Sequence, residues 1–346
     1  MCPPTATTCG GRKVALVIDS SGSNTVTDPE DLRVEAAKEI AGRLVSASEA
    51  SDKAKADQVT VVDFDDAAKV IYPLGDPAGA NFSEIDSAGG TYIADGVREA
   101  VGQITGSNQG KTSGVSGMVV LTDGEDSNQA ELVTEISKAG GMGIRVHFGF
   151  LDPTGVGSSR PKLLSAILGT GGIYSTISSA EAQKNFVNLV YSQGLTSQDN
   201  PNPNGTTGLL PGLTVARLID ATKPPVKFTY SALAGEKLNF TVSSLSSQSL
   251  SCSLRNGKKE VASDTTTAFG GMAVMSYESS KNAVLSLEVK ATTGQGVMQV
   301  KPGTNMPNAT RPLTSAAAMS AGKASPFMLV GMSMICLVFA GTVALG

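Results

Sequence analysis

Short, wholly apolar runs alternate along the first half of the chain with longer segments that carry a single apolar stripe. Residues 14–18 (Val-Ala-Leu-Val-Ile) and 118–121 (Met-Val-Val-Leu) are uninterrupted and bounded by polar turns. Such runs predict parallel strands buried on both faces. Further strands are predicted at 59–64, 70–74, 144–150 and 173–177. Between them the period lengthens. Leu32, Ala36, Ala37, Ile40, Leu44 and Val45 make one helical stripe, and Asp28-Pro29-Glu30-Asp31 reads as its start. There Asp28 is the expected N-cap and Pro29 the first helical residue. Helices are also predicted from Ile93, over 161–168 and over 180–193. Strands and helices in alternation predict an α/β unit over 12–195, a doubly wound, mostly parallel sheet covered on both faces.

After residue 195 the pattern changes. Residues 196–208 include Asn-Pro-Asn-Pro-Asn-Gly and read as a linker. Beyond it come short alternating runs at 214–219, 226–230, 238–242, 250–254, 273–277, 284–289 and 297–300, with a hairpin turn at Arg255-Asn256-Gly257-Lys258. This spacing predicts an all-β sandwich over 209–302, expected to act as a spacer. Residues 303–326 are rich in Ala, Ser, Thr and Pro without periodicity and read as a stalk. Residues 327–346 form a C-terminal hydrophobic tail without a charge, long enough to span a bilayer. Small residues at Ser315-Ala316-Ala317 ahead of that tail also resemble a signal for a GPI anchor. The tail is therefore either a transmembrane segment or a GPI-anchor signal.

A length of 346 residues leaves room for two domains, and a net charge of −4 without a basic cluster excludes nucleic acid as a natural partner. The single histidine, His147, lies in an apolar strand and is read as a core residue. Neither a His-Glu-x-x-His motif nor a phosphate loop is present, so the chain is expected to bind rather than catalyse. Cys2 and Cys9 flank an N-terminal loop (1–11) and could close a small disulfide; Cys252 reads as a buried thiol, and Cys336 falls in the tail. Sequons stand at Asn81, Asn204, Asn239 and Asn308. Met1-Cys2-Pro3-Pro4 is no signal peptide. Two locations follow: the cell surface, with a signal peptide upstream of the given sequence, or a cytosolic tail-anchored protein, which Lys323 ahead of the tail suits.

Three stretches carry the candidate chemistry. They are Asp19-Ser20-Ser21-Gly22-Ser23 after the first predicted strand, Thr91 ahead of the helix from Ile93, and Asp123 after the strand at 118–121. Ligands of open α/β sheets sit beyond the carboxyl ends of the strands, so all three stretches can meet on one rim. Their donors are oxygens, as small hard cations prefer. Three neutral hydroxyls binding directly, with Asp19 and Asp123 acting partly through water, leave a cation electron-poor and ready for a partner's carboxylate. Gly22 and Gly124 are expected to let backbone approach closely. Asp63, Asp65 and Asp66 read as a solvated strand end, Glu125 and Asp126 as groups that tune the rim or face water, and Asp95 as a residue that caps or orients the Thr91 loop.

Asp19, Ser21, Ser23, Thr91 and Asp123 resemble, at all five positions, the metal-ion-dependent adhesion site of von Willebrand factor type A (VWA) domains. The resemblance covers residues 12–195 and implies a Rossmann-like fold. It also implies Mg²⁺ as cofactor, with Mn²⁺ or Ca²⁺ as alternatives, and a protein or glycan ligand with an exposed carboxylate. The expected function is cell-surface adhesion or recognition by a membrane-held glycoprotein whose metal-site domain is carried outward on the sandwich and stalk. The alternatives are an accessory subunit of a membrane channel or transporter, and an intracellular tail-anchored scaffold.

Overall fold

The computed structural model describes residues 9–52, 54–106, 110–124, 126–154, 160–200, 205–246, 248–267, 271–309 and 311. The first half comprises β1 (Cys9–Gly10), β2 (Lys13–Asp19), α1 (Asn24–Thr27), α2 (Leu32–Ala41), β3 (Ala54–Lys55), β4 (Gln58–Phe64), β5 (Ala68–Gly75), α3 (Ile93–Thr105), β6 (Ser116–Thr122), α4 (Gln129–Gly141), β7 (Ile144–Leu151), α5 (Pro161–Gly169), β8 (Tyr174–Ile177) and α6 (Ala180–Gln193). Strands β8, β7, β6, β2 and β4 lie side by side and parallel, and β5 closes this edge antiparallel to β4.

The uninterrupted apolar runs follow from burial on both faces. Along β2, Val14, Leu16 and Ile18 pack with the helices α2 and α6, whereas Ala15 and Val17 pack with α3, α4 and α5. All five are completely buried. At roughly 1.5–3 kcal/mol for each large aliphatic side chain removed from water, such strands are the main source of the unit's stability.

Helix α2 begins three residues later than the sequence suggests. Asp31 adopts a left-handed conformation (φ 52°) that halts the turn begun at Pro29. The Asp28 carboxylate still caps the helix, reaching over to accept from Leu32 N at 2.7 Å and Arg33 N at 3.1 Å. An aspartate tolerates αL better than most residues, which makes the offset start affordable.

The second half adds β9 (Thr207–Gly208), β10 (Val215–Asp220), β11 (Val226–Ala232), β12 (Lys237–Ser244), β13 (Leu250–Asn256), β14 (Lys259–Thr266), β15 (Met272–Glu278), β16 (Ala283–Ala291) and β17 (Gln295–Thr304). One sheet, β14-β13-β16-β11-β9, packs its apolar face against β10, β17, β12 and β15. Those four strands are not a separate sheet. Val215 of β10 pairs antiparallel with Ser175 of β8, so a single ten-stranded sheet runs from β15 to β5. Ala216 and Val297 accordingly join the core beneath α5. Strand β17 is antiparallel to β10, and β10 to β8. It therefore runs in the same direction as β8 and ends at the carboxyl end of the parallel strands.

Residues 196–200, expected within a linker, are packed with Gly194 and Leu195 against the opposite end of the sheet. Buried Arg145 donates through Nη1 to the carbonyls of Gln193 (3.0 Å), Gly194 (2.9 Å) and Thr196 (3.0 Å). A Cβ at Gly117 would lie 2.2 Å from the Leu195 carbonyl oxygen, so only glycine permits this approach. His147 is a core residue. Its Nε2 meets Leu195 O at 3.0 Å, and burial, with Arg145 beside it, pulls its pKa down to about 3.

The expected stalk begins later than its composition suggests, because β17 extends to Thr304. Residues 305–309 then turn back, and Arg311 pairs with the buried Glu236. Residues 1–8, with Cys2, and 312–346, with Cys336 and the hydrophobic tail, lie outside the described residues. Among those described, no helix is long and apolar enough to cross a membrane.

Candidate metal centre

Asp19 is the last residue of β2, and its side chain is completely inaccessible to solvent. One carboxylate oxygen accepts from Ser21 N (2.7 Å) and Asn24 Nδ2 (3.1 Å), and the other accepts from Thr122 Oγ1. Ser21 and Ser23 hydroxyls lie 3.0 Å apart, and Ser23 Oγ donates to Asp123 Oδ1 at 2.9 Å. Thr27 Oγ1 donates to the second Asp123 oxygen. Asp19, Ser21, Ser23 and Asp123 therefore form one connected rim. Asp19 is its floor, while Ser23 is exposed and Asp123 half-buried at the mouth.

Thr91 reaches this rim by packing rather than by hydrogen bonding through its hydroxyl. A Cβ placed on Gly124 would meet Thr91 Cγ2 at 3.2 Å and Oγ1 at 3.3 Å, which is tight contact. Gly124 thus has a steric reason to be glycine. Gly22 has none as strong, since a Cβ there would sit an ordinary 3.6 Å from Gly89 O.

Two supports hold the Thr91 loop. Asp126 Oδ2 accepts from Ala94 N at 2.7 Å, capping α3, and Ser127 donates to Thr91 O through N (2.9 Å) and Oγ (3.0 Å). On the other side Asp66 Oδ1 accepts from Gly90 N (3.0 Å), and Asp65 O accepts from Tyr92 N (3.0 Å). Asp65 and Asp66 are therefore loop supports as well as a strand end. Asp95 does not cap or orient the loop; it pairs with Arg98 at 2.5 Å on the exposed face of α3. Glu125 lies outside the described residues.

No local pattern marks Arg33 as an organiser. Its completely buried guanidinium donates to Asp19 O (2.6 Å), Asp86 O (2.8 Å) and Ser87 Oγ (2.9 Å), and pairs with Asp28 at 2.9 Å. It ties the first loop to the segment leading into Thr91. Thr122 and Asn24 were likewise missed, because a threonine ending a strand or an asparagine after a turn does not announce its partner.

Every donor that the described residues bring to the carboxylates of Asp19 and Asp123 is a neutral hydroxyl, carboxamide or backbone N–H. Burial raises the pKa of Asp19 against these donors, and the neighbouring Asp123 adds to the rise. A buried carboxylate beside a second carboxylate, with only neutral donors to either among the described residues, is costly. The buried Asn24 Oδ1 also has no hydrogen-bond partner. Among the described residues no three His, Cys, Asp or Glu side chains gather as a metal cluster. Two carboxylates with three hydroxyls are instead a hard, all-oxygen donor set, which fits Mg²⁺ or a similar cation.

Comparison with solved structures gives likenesses of low identity. An aerotolerance-related membrane protein from Bacteroides fragilis is 22% identical, with a TM-score of 0.37, over 51% of this chain and 99% of that one. Proximal thread matrix protein 1 from the mussel byssus, in a structure described as having a zinc-occupied MIDAS motif, is 19% identical with a TM-score of 0.38, over 54% of this chain and 47% of its own. The pilus adhesin SpaC from Lactobacillus rhamnosus GG is 13% identical with a TM-score of 0.37, over 84% of this chain and 39% of its own. Comparison with curated proteins gives no match. Residues 14–125, from the first core strand through the Asp123 turn, match the von Willebrand factor type A domain.

Proposed function

We propose that the chain is a recognition protein, not an enzyme, that binds an acidic group of a protein or glycan at the rim formed by Asp19, Ser21, Ser23, Thr91 and Asp123. The observation that carries this reading is the adjacent pair of carboxylates, one buried and one at the mouth, to which the described residues bring only neutral donors. These five residues would hold Mg²⁺, and a bound cation supplies an electron-poor position for a ligand carboxylate. The chain itself does the positioning. Thr122 and Asn24 fix the Asp19 carboxylate, Asp126 and Ser127 fix Thr91, and Arg33 joins the two loops. Membrane attachment through 327–346 belongs to the same proposal.

The test is adhesion of the purified protein to surfaces coated with acidic proteins or glycans, in Mg²⁺ and in chelator. Asp19→Ala and Thr91→Ala should abolish the metal-dependent part. Binding by Asp19→Ala equal to the parent in Mg²⁺ would refute the mechanism.

One observation favours a second reading, an accessory subunit of a membrane channel or transporter. Strand β17 leaves the sheet at the rim end, so the chain leading to the tail starts beside the site rather than beneath it. A ligand in the same membrane as the anchor suits that arrangement. Co-purification of a multi-span partner that is lost with Asp19→Ala would support it.

A further inference from the structure

A groove of about 610 Å³ opens beside the rim, between the α1–α2 turn, the start of α6 and the turn that follows β17. Thr27 lies on both sides of the boundary, since it lines the groove and hydrogen-bonds Asp123. The groove is therefore continuous with the rim. One of its walls comes from the β-rich half, where Asn308 is held in a turn anchored by Arg311. That arginine donates to Met306 O (2.7 Å) and Ala309 O (3.0 Å), pairs with buried Glu236 and lies over the Tyr230 ring at 5.5 Å. The sandwich is thus a contributor to this surface as well as a support.

The lining charge is lopsided. Asp28 is already paired with Arg33, which leaves Glu30 and Glu181 facing the groove against the single amine of Lys184. Beside this negative groove lies a rim whose proposed ligand is negative. A ligand that occupies both must be bipolar.

We propose that the groove is the second half of the ligand site, and that it selects ligands in which a cationic side chain lies close to the carboxylate taken by the rim. The proposal rests on the metal reading of the rim and adds the class of ligand to it. Glu30 and Glu181 attract the cation, Lys184 moderates the attraction, and Asn308 bounds the groove from the sandwich side.

The test uses the full chain, expressed without N-glycosylation so that Asn308 is bare, and NMR titration with short peptides. Each peptide carries one aspartate and one lysine on glycine spacers of increasing length, or glutamine in place of the lysine. In Mg²⁺ at low salt, the best lysine peptide should bind about two- to fivefold tighter than its glutamine counterpart, the scale of exposed ion pairs. Glu30→Lys with Glu181→Lys should abolish that preference, Lys184→Gln should increase it, and added salt should shrink it. Glu30 and Lys184 are exposed and Glu181 only half-buried, so the fold is not at risk. Equal Mg²⁺-dependent binding of both peptides would overturn the groove proposal and leave the rim reading standing. A lysine preference that survives chelator and Asp19→Asn would keep the groove and overturn the rim reading. Absence of binding by both peptides in Mg²⁺ would overturn the two together.

Discussion

Two buried carboxylates at opposite ends of the parallel sheet, Asp57 and Asp19, are satisfied in opposite ways. At the amino ends of the strands, buried cations meet matched acceptors. Arg12 grips Asp57 through Nη2 (2.6 Å) and Nε (3.1 Å), Asp57 also accepts from Val45 N (2.8 Å), and Arg145 collects carbonyls from Gln193 to Thr196. At the carboxyl ends, the Asp19 and Asp123 carboxylates have neutral donors only. One end is a lattice in which buried cations meet acceptors within the chain. The other sets two carboxylates among neutral donors within a firm frame, which is the condition for recognising something outside the chain.

The largest expected effect tests the amino end. Arg145→Ala leaves several backbone carbonyls without a donor inside the fold, and should destabilise the protein by about 3–5 kcal/mol in urea unfolding. A loss below about 1 kcal/mol, the worth of one ordinary hydrogen bond, would mean that this end is not the lattice inferred from its distances.

The next effect tests the carboxyl end. In Mg²⁺ at a hundredfold excess over its dissociation constant, the parent should gain about 2.7 kcal/mol of stability relative to chelator. Asp19→Asn keeps the shape, removes the buried charge and should show no such gain, while melting no lower than the parent in chelator. Differential scanning fluorimetry measures both. Equal Mg²⁺ shifts in parent and variant would remove Asp19 from the site.

A smaller effect concerns Asp63, at the end of β4 beside the open rim. Burial, reinforced by Asp65 and Asp86, lifts its pKa to about 6, and its Oδ1 has no partner. A carboxyl whose folded pKa is raised holds its proton more tightly folded than unfolded, so stability falls as pH rises through the window from about 4 to 6. Asp63→Asn removes this penalty. In chelator it should stabilise the protein on the order of 1–2 kcal/mol at pH 7, allowing for partial exposure, and negligibly at pH 4. A pH-independent difference would assign the effect to packing instead.

What the sequence disclosed follows the same division. Asp19 and Asp123 were legible as strand-end groups because the apolar runs before them have no other reading than doubly buried strands. Thr91 was placed by the helix that begins at Ile93. The supporting residues were not legible. Arg33 occupies a helix position where an exposed arginine would look the same, and Asp126 and Thr122 find their partners across 32 and 103 residues of chain. Strand β14 escaped notice because Lys259, Glu260 and Asp264 make it an edge with a polar outer face. The join between the halves has no signature either. Its backbone pairing, at Val215 and from Thr176 N to Thr214 O, could be supplied by any residue types, and the side-chain bonds that add to it, such as Thr214 N to Thr176 Oγ1, join residues 38 apart in the chain.

That continuous sheet also determines how the molecule carries load. Strand β17 is flanked by β10 along Gln295–Val300 and by β12 along Met298–Thr304. Tension applied beyond Thr304 runs along the strand and perpendicular to its interstrand hydrogen bonds, so both ladders are sheared together instead of opening one bond at a time. From β10 the force passes through Val215 into β8, the outermost parallel strand of the domain that bears the rim. Pulled from beyond Thr304, the two halves would resist traction as a single plate.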